Sequence, residues 1–212
     1  MKRTGVLIVV SGFSGAGKGT LMKALLEQHD NYALSISMTT RAPRPGEENG
    51  KHYFFVNRDT FENTIREEGL LEYAQYCGNY YGTPRAYVEK CLAEGKDVIL
   101  EIEIQGALKI KKRFPDTVLV FVTPPDAGEL RKRLIGRGTE TPEVINSRLS
   151  RAVEEAEGIE NYDYIVVNDD LERCVEDIHA IATAAHCVAG RSVLKIKQIS
   201  KELSSHSKGE KQ

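Results

Sequence analysis

The chain has 212 residues, 41% of them hydrophobic, enough for one sizeable core with inserted subdomains but not for two independent domains. Its 29 Lys and Arg against 31 Asp and Glu give a formal charge of -2, so no global basic field holds nucleic acid or an anionic membrane, and any anion must be met locally. Four separated cysteines (Cys77, Cys91, Cys174, Cys187) and five scattered histidines suggest neither a disulfide framework nor a metal site, which suits a reduced cytoplasm.

The apolar run at residues 6–10 is β-branched and continuous, as a strand buried on both faces requires, and it is too short for a signal peptide or a membrane span. A glycine-rich turn follows, and then Leu21, Leu25 and Leu26 at helical spacing predict strand, loop and helix in succession. Residues 38–87 break the pattern. They are rich in Pro, Gly and aromatics, with alternating runs at 52–56 and 70–74, and read as a small mixed β module. Strand and helix then alternate again: 98–100 leads into a helix over 107–113, and 117–122 leads into a helix carrying Leu130 and Leu134. Residues 123–158 open on Pro124 and Pro125, are crowded with arginine, and read as two helices around a turn at 136–138. A last strand at 164–167 precedes a helix through Ile178, Ile181 and Ala185, and the polar residues 195–212 read as a frayed end. Repeated strand–helix units predict an α/β fold with a parallel sheet flanked by helices.

The turn after the first strand reads Gly12, Phe13, Ser14, Gly15, Ala16, Gly17, Lys18, Gly19, Thr20, which fits G-x-x-x-x-G-K. In shuffled chains with 18 Gly the bare pattern arises about one time in ten, so its position between a buried strand and an amphipathic helix carries the reading. Glycines let successive backbone N–H groups wrap phosphates, the helix N-terminus adds partial positive charge, and Lys18 supplies a point charge. Gly19 stands where the motif has a Ser or Thr, so its contact with magnesium must pass to Thr20 or to water. Gly-Lys-Gly-Thr is similar to the adenylate kinase form of the loop, and the GTPase companions Asp-x-x-Gly and Asn-Lys-x-Asp are absent from the chain.

Further motifs follow in order: SMTTRAPRPGE at 37–47, HYFFV at 52–56, GNYYGT at 78–83, ILEIEIQG at 99–106, GRGTE at 136–140, NSRL at 146–149 and VVNDD at 166–170. Over about residues 5–185 these resemble the guanylate kinase family. The resemblance implies a P-loop NTPase fold with a core at 5–36, 88–122 and 159–190, an inserted mixed-β GMP-binding module at 37–87, a helical lid at 123–158 and a polar tail at 191–212. It implies phosphoryl transfer from Mg-ATP to GMP in purine nucleotide metabolism, in the cytoplasm, with Mg²⁺ as cofactor, no nucleic acid or membrane partner, and dGMP left open as an acceptor.

By the same resemblance Arg41, Arg44, Tyr53 and Tyr81 hold the GMP phosphate, and Ser37, Glu72 and Thr83 read the guanine. Arginine forks suit phosphate, and tyrosine hydroxyls donate without adding charge. Residues 12–20 with Arg133 and Asn168 bind ATP, Asn168 at the adenine and Arg133 at the adenine or the phosphates. Lys18, Arg44, Arg137 and Arg148 act on the transferring phosphoryl group, and Thr20 is the expected metal ligand. Glu101 and Glu103 stand where many family members carry aspartate; either can serve Mg²⁺ or the GMP base, with about an ångström of altered reach. Arg131, Lys132 and Arg151 read as a solvated helix face. Two rival readings are a kinase for AMP or a pyrimidine monophosphate, opposed by the guanine-reading residues, and a non-catalytic scaffold module, opposed by Lys18, Arg44, Arg137 and Arg148.

Overall fold

In the computed structural model, which describes residues 4–76, 78–136 and 142–209, a five-stranded sheet forms the centre. Strand β1 (Leu7–Gly12) lies in the middle and is followed by α1 (Lys18–Gln28) and the edge strand β2 (Tyr32–Leu34). After the inserted module, α3 (Arg85–Glu94), β7 (Asp97–Glu101), α4 (Ile104–Arg113) and β8 (Val118–Thr123) complete the middle of the sheet. The strand order is β2-β7-β1-β8-β9, every pair parallel, with β9 (Tyr164–Val167) on the far edge. The apolar run at residues 6–10, which leads into β1, serves two cores. Val6, Ile8 and Val10 pack with Leu21, Leu25 and the face of α7 (Leu171–Ala185) that carries Val175 and Ile178. Leu7 and Val9 pack on the other side with Val88, Ala107 and Ile110. Both faces being covered by helices is why no polar alternation is visible in its sequence.

Between β2 and α3 runs a second sheet, order β4-β3-β6-β5, built from β3 (Met38–Thr39), β4 (Phe54–Phe55), β5 (Leu70–Tyr76) and β6 (Asn79–Pro84). It is mixed, β3 pairing parallel with β4 and antiparallel with β6. Within it lies α2 (Arg58–Arg66), absent from the sequence reading. Asn57 caps α2 by accepting a hydrogen bond from Thr60 N at 2.8 Å, and the buried Phe61 stacks on Tyr80 with ring centres 5.1 Å apart. Two further helices, α5 (Ala127–Gly136) and α6 (Pro142–Ala156), occupy the arginine-rich segment and close a small core of Leu130, Leu134 and Ile145 over Phe13.

The expectation of a frayed end is corrected: α8 (Val193–Gly209) is a helix. Its Lys, Gln, Glu and Leu residues are good helix formers whatever their polarity, and its serines return their hydroxyls to carbonyls four residues back, as Ser200 does to Ile196 O at 2.9 Å. Among the described residues no helix is long and apolar enough to cross a membrane.

Candidate active site

The carboxyl ends of β1, β7 and β8 converge where the chain order reverses about β1, the position at which open parallel sheets hold ligands. There Ser14, Gly15, Gly17, Lys18, Gly19, Thr20 and Glu101 line a crevice of about 310 Å³. A hollow of about 340 Å³ at the opposite, amino-terminal edge, bounded by Gly5, Phe114 and Arg191 among others, gathers none of the sequence-singled residues. Gly17 caps α1 with φ 91°, a left-handed conformation, and a side chain there would place its Cβ 2.6 Å from Asn168 Nδ2. Lys18 folds over the loop, its Nζ donating to Gly12 O at 2.7 Å and Phe13 O at 3.2 Å. The first amides of α1 have no earlier turn to bond and present their N–H groups at the crevice.

Several side chains from distant elements meet this loop. Arg148 on α6 donates from Nη1 to Ser14 Oγ at 2.8 Å. Arg133 on α5 donates to Ala16 O at 3.3 Å and to Asn168 O at 2.8 Å. The buried Asn168 donates from Nδ2 to Ala16 O at 2.7 Å. Glu101 keeps solvent access at the tip of β7, but the crevice walls still push its carboxyl up, against the pull of the Lys18 ammonium, and Glu103 adds to the rise. Glu103 caps the start of α4 and accepts from Arg151 Nη2 at 3.5 Å, while Arg151 Nε lies 3.3 Å from Glu155 Oε1. Burial first, then the nearby Glu103, pushes the Glu155 carboxyl up. Arg151, expected on a solvated face, therefore bridges α6 to the start of α4. Arg137 lies outside the described residues.

The second sheet carries the residues expected to hold GMP. Glu72 on β5 and Thr83 on β6 are both buried, and Thr83 Oγ1 donates to Glu72 Oε1 at 2.7 Å. Burial pushes the Glu72 carboxyl up, opposed by the Thr83 hydrogen bond and by the Lys109 charge. Gly106, in the first turn of α4, approaches so closely that a Cβ there would sit 3.1 Å from Glu72 Oε2. Ser37 enters β3, its carbonyl accepting from Phe54 N at 2.9 Å.

Arg41 clamps Glu47 with both arms of its guanidinium, at 2.9 and 2.8 Å, and lies 5.4 Å from the centre of the Tyr53 ring. Tyr53 and Tyr81 meet edge to face, 6.2 Å between centres. Glu47 also accepts from Arg44 N at 2.7 Å, and the Arg41 hydrogen bond, followed by the Arg44 amide, holds its carboxyl down at about 2. Burial raises the Tyr53 phenol, helped by Tyr81 and opposed by the Arg41 charge. The Arg44 side chain is exposed. Sequence reasoning assigned Glu47 no part. Its signal was an acid six residues after Arg41, brought back by a turn in which Glu47 N donates to Arg44 O at 3.0 Å.

Residues 4–185 match the family model described as guanylate kinase. A guanylate kinase from Halalkalibacterium halodurans is 53% identical over 198 residues, covering 93% of this chain and 97% of the relative. One from Lactococcus lactis subsp. lactis is 55% identical over 186 residues, 88% of this chain and 91% of the relative. Among solved structures, the crystal structure of guanylate kinase from Anaplasma phagocytophilum aligns with TM-score 0.71 at 35% identity, covering 88% of each chain.

Proposed function

The chain belongs to the guanylate kinase family, and from that premise we propose that it transfers the γ-phosphoryl group of ATP to GMP, giving ADP and GDP. The observation that carries the reading is the buried Glu72–Thr83 pair, packed against the first turn of α4, in a chain that also builds a glycine-rich phosphate loop. Guanine presents two adjacent donors, N1–H and the 2-amino group, and one carboxylate can accept both. Adenine sets an acceptor nitrogen there and leaves a buried carboxylate unpaired. Ser37 and Thr83 refine the choice, with Glu101 and Glu103 at the edge of the base site. Arg41, Arg44, Tyr53 and Tyr81 bind the GMP phosphate, and Glu47 holds Arg41 in place until that phosphate arrives.

The attacking oxygen belongs to a phosphate already anionic near neutral pH, so no strong general base is required. What the protein supplies is alignment and positive charge at a loose, in-line transition state. Residues 12–20 cradle the donor phosphates, Lys18 faces the transferring group, and Arg148 and Arg137 reach it from the lid. The Thr20 hydroxyl and the Glu101 carboxylate both line the crevice and are the hard oxygen donors that suit Mg²⁺, so these two would hold it beside the phosphates. When bound, Mg²⁺ neutralises phosphate charge. Movement of the second sheet and of α5 and α6 toward the core closes the site and excludes water that would hydrolyse ATP. The setting is the cytoplasm.

A coupled ADP-release assay with Mg-ATP and a panel of nucleoside monophosphates tests the reading. GMP should be turned over far faster than AMP, CMP or UMP. Equal use of AMP would sink the guanine assignment.

A further inference from the structure

The peptide between Ala16 and Gly17 is held from outside the phosphate loop. Its carbonyl accepts two hydrogen bonds, from Asn168 Nδ2 at 2.7 Å and from Arg133 Nη1 at 3.3 Å, donors 152 and 117 residues further along the chain. Both donors are themselves fixed. The Asn168 main chain is locked on two sides, its N–H donating to Thr123 O at 2.7 Å and its carbonyl accepting from Arg133 Nη2 at 2.8 Å. Arg133 is steadied in turn by Glu129, Nε to Oε1 2.9 Å, one turn earlier on α5.

A peptide unit is planar and trans, so its C=O and N–H point in opposite directions. Drawing the Ala16 carbonyl toward Asn168 therefore turns the Gly17 N–H the other way, and Gly17 is part of the crevice lining. Gly17 can accept that twist because it has no side chain: at φ 91° any other residue is strained, and its Cβ would strike the Asn168 amide. We propose that Asn168 and Arg133 are positioning residues of the phosphate loop, which hold the Ala16 carbonyl outward and so aim the Gly17 N–H at the donor phosphates. This rests on the phosphate-loop reading above and changes the part that Asn168 plays in it. The side chain expected to read the adenine gives one of its two amide N–H groups to backbone, and the effect carried by that bond passes to ATP through the phosphates, independent of the base. Because Arg133 belongs to α5, the same link ties the arginine-rich segment to the shape of the loop.

The test compares wild type with Asn168→Ala and with Asn168→Asp, which keeps the shape but sets an acceptor against the Ala16 carbonyl. Two quantities are read: the KM for ATP, and the inhibition constant of inorganic tripolyphosphate, which has phosphates and no base. One oriented N–H to a charged phosphate is worth roughly tenfold in affinity. Both constants should therefore rise together by roughly that factor in either variant, while the KM for GMP stays within about twofold. Arg133→Gln should move the same two constants in the same direction. If KM for ATP rises while the tripolyphosphate constant stays at the wild-type value, Asn168 reads the adenine and the proposal is wrong. Unchanged ATP affinity in Asn168→Asp overturns it equally, whether or not the alanine variant folds. Failure of the wider functional reading would look different, since wild type itself would then leave GMP unphosphorylated.

Discussion

The two walls of the active site are built on opposite plans. On the donor side the proposed ligands are chiefly backbone N–H groups of one continuous loop, which Asn168, Arg133 and Arg148 meet through hydrogen bonds. On the acceptor side the proposed ligands are side chains, Arg41, Tyr53, Glu72, Tyr81 and Thr83, gathered from the four strands of the second sheet and the turns beside them. Phosphate is common to all nucleotides and can be bound by backbone; telling guanine from adenine needs a carboxylate in one position. The donor wall should therefore lose rate when its charges are removed, and the acceptor wall should lose selectivity.

The largest effect is expected from Lys18→Ala, which removes the lysine over the loop and should lower kcat about 10³-fold with the fold retained by circular dichroism. A kcat near wild type would mean that the loop binds without taking part in transfer. Next, Glu72→Gln should lower kcat/KM for GMP about 10²-fold and narrow the ratio of GMP to AMP use, because the amide presents a donor where guanine also donates. An unmoved ratio would break the contrast drawn here. Arg148→Ala should cost roughly thirtyfold in kcat, with the KM for GMP nearly constant, since its contact strengthens as charge develops on the transferring group. A change confined to KM would reassign it to ground-state binding.

The smallest effect concerns Glu47. Its carboxyl is held at about 2, below the usual carboxylate range, so whatever the clamp contributes is present above the ordinary value near 4.5 and lost as pH falls toward 2. Comparing thermal midpoints of wild type and Glu47→Gln from pH 7 to pH 2 should give a small difference, constant above about pH 5 and gone near pH 2. A difference that persists at pH 2 would assign it to packing.

The same contrast explains what could be read from the sequence. The loop is contiguous, its glycines are demanded by backbone geometry, and the strand before it is buried on both faces; each of these leaves a local mark. The inserted β module and the helical segment were legible from changes in composition and periodicity. The acceptor residues were not readable one by one, because a single tyrosine or glutamate on a strand or the turn beside it carries no pattern, and only the resemblance to a family assigned them. The support of Ala16 by Asn168 and the bridge from Arg151 to Glu103 left no signal at all: their partners lie 152 and 48 residues away, and one of them is a backbone carbonyl. Helix α8 is hidden for another reason: its polar composition reads as a frayed end although its residues favour helix.

The alternation of β1 between two cores has a thermal consequence. Val6, Ile8 and Val10 belong to the layer under α1 and α7, and Leu7 and Val9 to the layer under α3 and α4. Neither layer can melt while leaving the other its central strand, so heat should take both in one cooperative transition. The second sheet is tied to the same unit, since Leu71 of β5 packs in the layer of Leu7 and Val9. The sheet proposed to select the acceptor should therefore feel the melting of the core through one of its own strands.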